Sequence, residues 1–193
     1  MESTYDKFKN IPKELQDLKA WVCWRAVWDE KKQKNDKIPI NPANGYNAKS
    51  NDPNTWTDYK TAVLACTKNK LAGIGFMFSG SGYFGIDIDN CVVDGKFSDM
   101  AKDVLSTVKS YTEMSPSGNG LHIIAKGKLP EGGRRNQQGL EMYDQGRFFT
   151  ITGDVLEGYG EVSEQSDQVS KIHEKYIAVK KESTKKQDFQ RGH

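Results

Sequence analysis

Tyr83-Phe84-Gly85-Ile86-Asp87-Ile88-Asp89 alternates apolar and acidic side chains, the pattern of a β-strand with one buried face. In such a strand Phe84, Ile86 and Ile88 point one way, and Asp87 and Asp89 point the other. At about 3.3 Å per residue the two carboxylates stand about 6.6 Å apart. At an effective dielectric of about 20 they repel by about 2.5 kcal/mol. A cation relieves that repulsion, and ligands that offer only oxygen suit Mg²⁺ or Mn²⁺ rather than zinc.

The strands and helices on either side of this segment follow from the same periodicities. Pro12 opens a short helix to about Lys19, and residues 21–27 and 37–41 read as strands around a charged turn. A helix starts at Asp52-Pro53 or at Thr57 and runs to about Asn69. Residues 73–78 and 83–89, joined by Ser79-Gly80-Ser81-Gly82, read as a hairpin. Met100, Val104, Leu105 and Val108 give residues 99–111 a helical spacing, and residues 121–125 form a strand. Residues 139–143 and 147–152, joined by Asp144-Gln145-Gly146, read as a second hairpin. Val162, Val169, Ile172 and Tyr176 suggest a last helix, and from about Lys180 the composition becomes that of a polar linker or tail. Tight connections between strands make the sheet largely antiparallel, so the class is α+β. Residues 1–160 are expected to form one catalytic domain and 161–193 a C-terminal helix and polar tail.

The chain has 193 residues with 36% hydrophobic and 10% aromatic content, enough for a substantial core. A net charge of +2 excludes a polybasic binder. Any nucleic-acid surface must then come from local clusters: Lys31-Lys32-Gln33-Lys34, Lys126 with Lys128, Arg134-Arg135 and Lys180-Lys181. Three widely spaced cysteines and three histidines supply no CxxC or HxxxH pattern, against a zinc site or a disulfide framework. No run approaches 18 apolar residues and the N-terminus lacks a signal-peptide pattern, so a cytoplasmic location is expected, the host cytosol if the gene is a phage's.

Two further segments carry chemistry. Ser115-Pro116-Ser117-Gly118-Asn119-Gly120-Leu121-His122 is a small-residue loop entering a strand, and backbone amides in such a loop can cradle phosphate oxygens. His122 and Lys126 share a strand face and could add positive charge toward a triphosphate. In Gly139-Leu140-Glu141-Met142-Tyr143, Glu141 sits between apolar neighbours and could be a third carboxylate for two hard cations. Each segment also has a plain structural reading: a solvated edge strand, a surface turn and a solvated strand face.

In their order, GIDID, SPSGNGLHII and GLEMYDQGRFFTITGD resemble the three motifs of the archaeo-eukaryotic primase superfamily, and most closely its phage- and plasmid-type primase–polymerase domains. The resemblance runs over roughly residues 21–158. It includes Trp21, Val22, Trp24 and Arg25, then Lys37-Ile38-Pro39, Asp52-Pro53 with Trp56, Gly73-Ile74-Gly75-Phe76, and Arg134-Arg135. It implies an RRM-like, largely antiparallel catalytic sheet flanked by helices, with an N-terminal α/β unit. It also implies a DNA primase and polymerase that moves a nucleotide from dNTP or NTP to a 3′-hydroxyl.

By that resemblance Asp87, Asp89 and Glu141 are the catalytic, metal-binding positions for Mg²⁺ or Mn²⁺. Ser117, Gly118, Asn119, Gly120, His122 and Arg147 meet the nucleotide, and Arg134, Arg135 and Lys126 meet nucleic acid. DNA template, primer and nucleotides are the implied partners, with a downstream helicase or helical domain in a larger parent protein. No zinc-binding element, helicase motif or extended helical domain is visible in this chain. The competing readings are a non-catalytic single-stranded nucleic-acid-binding module and a metal-dependent nuclease. A nuclease has no need of a triphosphate cradle.

Overall fold

The computed structural model describes residues 4–178; the expected polar tail and Lys180-Lys181 lie outside the described residues. The strands are β1 (Trp21–Asp29), β2 (Lys34–Ile40), β3 (Gly73–Ser79), β4 (Tyr83–Ile88), β5 (Val92–Val93), β6 (Lys96–Phe97), β7 (Tyr111–Met114), β8 (Leu121–Lys126), β9 (Leu140–Tyr143) and β10 (Gln145–Ile151). The helices are α1 (Thr4–Lys7), α2 (Lys13–Gln16), α3 (Tyr59–Lys68), α4 (Asp99–Thr107) and α5 (Ser166–Tyr176). Two antiparallel four-stranded sheets organise the fold, in the orders β10-β3-β1-β2 and β7-β8-β4-β9.

Neither expected hairpin forms. β3 pairs with β1 and β10, while β4 pairs with β8 and β9, so the turn at residues 79–82 carries the chain from the first sheet to the second. The turn after β9 carries it back, because β10 pairs with β3. The Gly80 amide donates to the Asp144 carbonyl at 2.7 Å, tying the two crossovers together. Alternation fixes the faces of a strand but not its neighbour, and the Gly/Ser turns suit a crossover as well as a hairpin.

Helix limits differ for local reasons. Asp52-Pro53 opens only a 3₁₀ turn at Pro53–Thr55, and the N-cap of α3 is Asp58, whose side chain accepts from the Thr61 amide. Ser98 caps α4 in the same way, and that helix stops at Thr107, so Tyr111 belongs to β7.

Each sheet contributes to two layers of packing. Trp21, Phe76, Phe78 and Phe149 of the first sheet meet Tyr111 and Ile124 of the second in one core. On the other face of the second sheet, Phe84, Ile86 and Ile88 pack under α4 and α5 with Val104, Val169 and Ile172. Helix α5 therefore shares the core of the second sheet. Gly85 lies where the sheets touch, since a Cβ there would overlap the rings of Phe78 and Phe149. The residue beside the acidic pair is glycine because another sheet rests on it.

Candidate active site

Registration across the second sheet puts the chemistry in one row. Glu113 is opposite His122, His122 opposite Asp87, and Asp87 opposite Glu141. An isolated bridge adds Arg135 opposite Glu141. Directly opposed residues share a face, so five polar side chains from five segments point toward the first sheet.

His122 is buried and Asp87 is half-buried. The Nε2 of His122 is 3.8 Å from Oδ1 of Asp87, and its ring stacks on Phe149 with centroids 4.9 Å apart. Oδ1 of Asp87 is buried without a hydrogen-bond partner. Burial pushes the Asp87 carboxyl up to about 6; Asp89 and Glu141 push the same way, while His122 and Lys37 oppose them. A cavity of about 160 Å³ opens here, lined by Asp87, His122, Glu141, Tyr143, Arg147, Phe148, Phe149, Thr150 and Lys37. Arg147 follows a bulge in β10, and its guanidinium lies 4.8 Å from the centre of the Tyr143 ring. The Tyr143 hydroxyl donates to Oε2 of Glu141 at 2.5 Å.

The other expected site residues are more dispersed. Asp89 is exposed in the turn after β4, its amide bonded to the Gly139 carbonyl, and it does not line the cavity. Two of the loop amides already have partners within the loop: Gly118 donates to the Ser115 carbonyl and Asn119 to Oγ of Ser117. Ser115 and Gly118 face a separate cavity beside Trp24 and Thr152. Lys126 pairs with Glu14 at 2.5 Å, and Arg134 donates to the Pro130 carbonyl.

Two participants were given no role at the site from the sequence, although Lys37 stands in a segment that carries the resemblance. Lys37 reaches the cavity from β2, with Nζ 3.5 Å from Oγ1 of Thr150. Glu113 is fully buried beside His122, where it accepts from the amides of Thr152 and Gly153 and from the Tyr111 hydroxyl. The run Tyr111-Thr112-Glu113-Met114 has no apolar–polar alternation to mark a strand, and of these residues the expected helix took in only Tyr111.

No group of three His, Cys, Asp or Glu side chains among the described residues is close enough to form a metal cage. The donor set still suits a hard cation shared with a substrate. Asp87 and Glu141 face each other, Oδ1 of Asp87 lacks a partner, and Mg²⁺ is commonly held by one or two carboxylates plus phosphate oxygens.

No helix among the described residues is long and apolar enough to cross a membrane. No family model matches the chain. The DNA primase-polymerase of Nitratiruptor phage NrS-1 is 38% identical over 160 residues, covering 79% of this chain and 21% of that protein. The chain thus spans about a fifth of the length of the curated relative it matches. That identity extends over most of this chain, so what the chain is similar to carries the name of the family that its own motifs resemble.

Proposed function

We propose that this chain is the nucleotidyl-transfer unit of a template-directed DNA primase and polymerase in phage or plasmid replication. On this reading the second sheet, with α4 and α5 on its far face, is the RRM-like sheet of an archaeo-eukaryotic primase fold. The observation that carries the reading is the opposition of Asp87 and Glu141 in one cavity whose lining also includes Lys37 and Arg147. Acidic and basic groups around one small cavity suit a triphosphate and its counter-ions.

Asp87, Asp89 and Glu141 would hold Mg²⁺ or Mn²⁺. Bound there, such ions lower the pKa of the attacking 3′-hydroxyl and neutralise charge on the leaving pyrophosphate. The side chains of this protein bind and orient. His122 turns Nε2 toward the reacting end of the cavity, with Phe149 fixing its ring plane. Lys37 and Arg147 take phosphate oxygens as charge-assisted donors. By the resemblance Ser117, Gly118, Asn119 and Gly120 would meet the nucleotide, and Arg134 and Arg135 the nucleic acid, although the loop lines a separate cavity and Arg134 donates to the Pro130 carbonyl. The 3′-oxygen attacks the α-phosphorus, a new phosphodiester forms, and the bond to pyrophosphate breaks.

The test is extension of a primed template with labelled dNTPs and Mg²⁺ or Mn²⁺. The wild type lengthens the primer, and Asp87→Ala with Asp89→Ala abolishes extension while circular dichroism stays native. Full activity in that double variant overturns the reading.

A further inference from the structure

The cavity of Asp87 adjoins a second hollow, and that one adjoins a third. Arg147 and Phe148 also line a space of about 460 Å³ with Lys49 and Asn51. Asn51 and Gly146 lead on into another of about 350 Å³ beside Trp56. Shared lining residues set the three in a row that leaves the cavity past Arg147, a row we take as one groove. Its chemistry changes along the way. The carboxylates Asp87 and Glu141 belong to the cavity end, whereas beyond it the lining residues include Lys49 and Arg147 and none is acidic.

The groove wall is rigid before anything binds. Oγ1 of Thr55 accepts from the Lys49 amide at 3.0 Å and donates to the Asp52 carbonyl at 2.7 Å. Trp56 Nε1 donates to the Lys49 carbonyl at 2.8 Å. Trp56 and Phe148 pack together on Val22, Ala48 and Met77. The Lys49 backbone is thus fixed while its side chain is exposed, so a contact made there costs the rotamer freedom of the side chain and no backbone ordering. Gly146 has φ +67° and no atom within 4 Å of where a Cβ would stand, so the floor between the two hollows is open.

We propose that this groove holds the unpaired template strand ahead of the primer terminus, an inference that rests on the polymerase reading of the same site. A cationic channel with amide and hydroxyl groups and aromatic faces is the chemistry that binds single strands without sequence preference. In a primed template the only single strand leaving the reaction centre is the template overhang. Lys49 supplies a phosphate contact, Asn51 a polar one, and Phe148 a face for a base.

The test uses the full chain and fluorescent DNA at several salt concentrations, comparing a primed template carrying a long 5′ overhang with a blunt duplex of the same paired length. Lys49→Glu, an exposed change, is expected to weaken binding of the overhang DNA by about fivefold and to reduce the salt slope by about 0.7 per lost phosphate contact. Blunt-duplex binding stays unchanged. Asn51→Asp, also exposed, gives the same pattern more weakly. Equal losses on both DNAs, or none on either, overturn the proposal. If the wild type extends no primer yet Lys49→Glu still loses overhang binding, the polymerase reading fails and the groove assignment stands.

Discussion

Oε1 of Glu113 stands 3.5 Å from Nδ1 of His122, behind the imidazole as seen from Asp87. The carboxylate is fully buried and anchored by the Thr152 and Gly153 amides. An anchored carboxylate 3.5 Å from Nδ1, close but not hydrogen-bonded to it, and a stacked ring on a face leave His122 few orientations. Glu113 is therefore expected to act as a positioning residue. His122→Ala should raise the nucleotide KM by about ten- to hundredfold, the worth of a hydrogen bond to a charged group. Glu113→Gln should raise it less, and not at all when added to His122→Ala. Equal effects of Glu113→Gln in both backgrounds would make its role purely structural, because only coupled residues depart from additivity.

Asp87 links function to stability. Its carboxyl is pushed from 3.8 to about 6, so the folded chain binds a proton that the unfolded chain has released. Stability from this group is present below about pH 4 and lost as pH rises through about 6. The shift of about two units corresponds to at most about 3 kcal/mol. Asp87→Asn should be more stable than the wild type at pH 7.5, with the gain vanishing toward pH 4. Urea unfolding across that range reads the difference. Mn²⁺ should raise the wild-type melting temperature at pH 7.5 and leave that of Asp87→Asn unmoved.

Gly85 offers a purely steric test. A methyl group would press on the rings of Phe78 and Phe149, and Phe149 in turn stacks on His122. Gly85→Ala should cost about 1–3 kcal/mol in urea unfolding, the usual range for overpacking. It should also raise the nucleotide KM, since the imidazole shifts with the ring that supports it. A variant with native stability would show that the sheets can separate locally without loss.

The acidic strand was legible because its two faces differ so sharply: Phe84, Ile86 and Ile88 are fully buried on the face away from Asp87. What alternation could not supply was partnership. Glu141 reached the site because β9 leaves the path of a hairpin and pairs with β4, a choice made by tertiary packing. The place of Lys37 in the cavity was beyond reach for a similar reason, although its segment carries part of the resemblance. Its cavity neighbours, Thr150 and Asp87, are 50 or more residues away in sequence, and no local pattern marks a lysine that bridges elements. Glu113 fell between an expected helix that ran to Tyr111 and a loop that began at Ser115, in a Tyr-Thr-Glu-Met run with no alternation to mark a strand.

Lys126 carries the last prediction. On sequence alone it shares a strand face with His122 and could point positive charge at a phosphate. In the fold its Nζ meets Glu14, whose Oε1 also accepts from the Tyr83 hydroxyl at 2.7 Å, so the lysine fastens α2 to the edge of the second sheet. The pair is part-exposed, which limits its worth to about 1 kcal/mol or less. Lys126→Ala should therefore lower stability by no more than that, and leave both the nucleotide KM and the salt slope of DNA binding unchanged. Burial raises the Glu14 carboxyl, while Lys126 and the Tyr83 hydroxyl together hold it below its usual range, so without Lys126 that carboxyl should titrate higher in the variant. A reduced salt slope would instead mean that Lys126 leaves Glu14 to meet a phosphate when DNA binds.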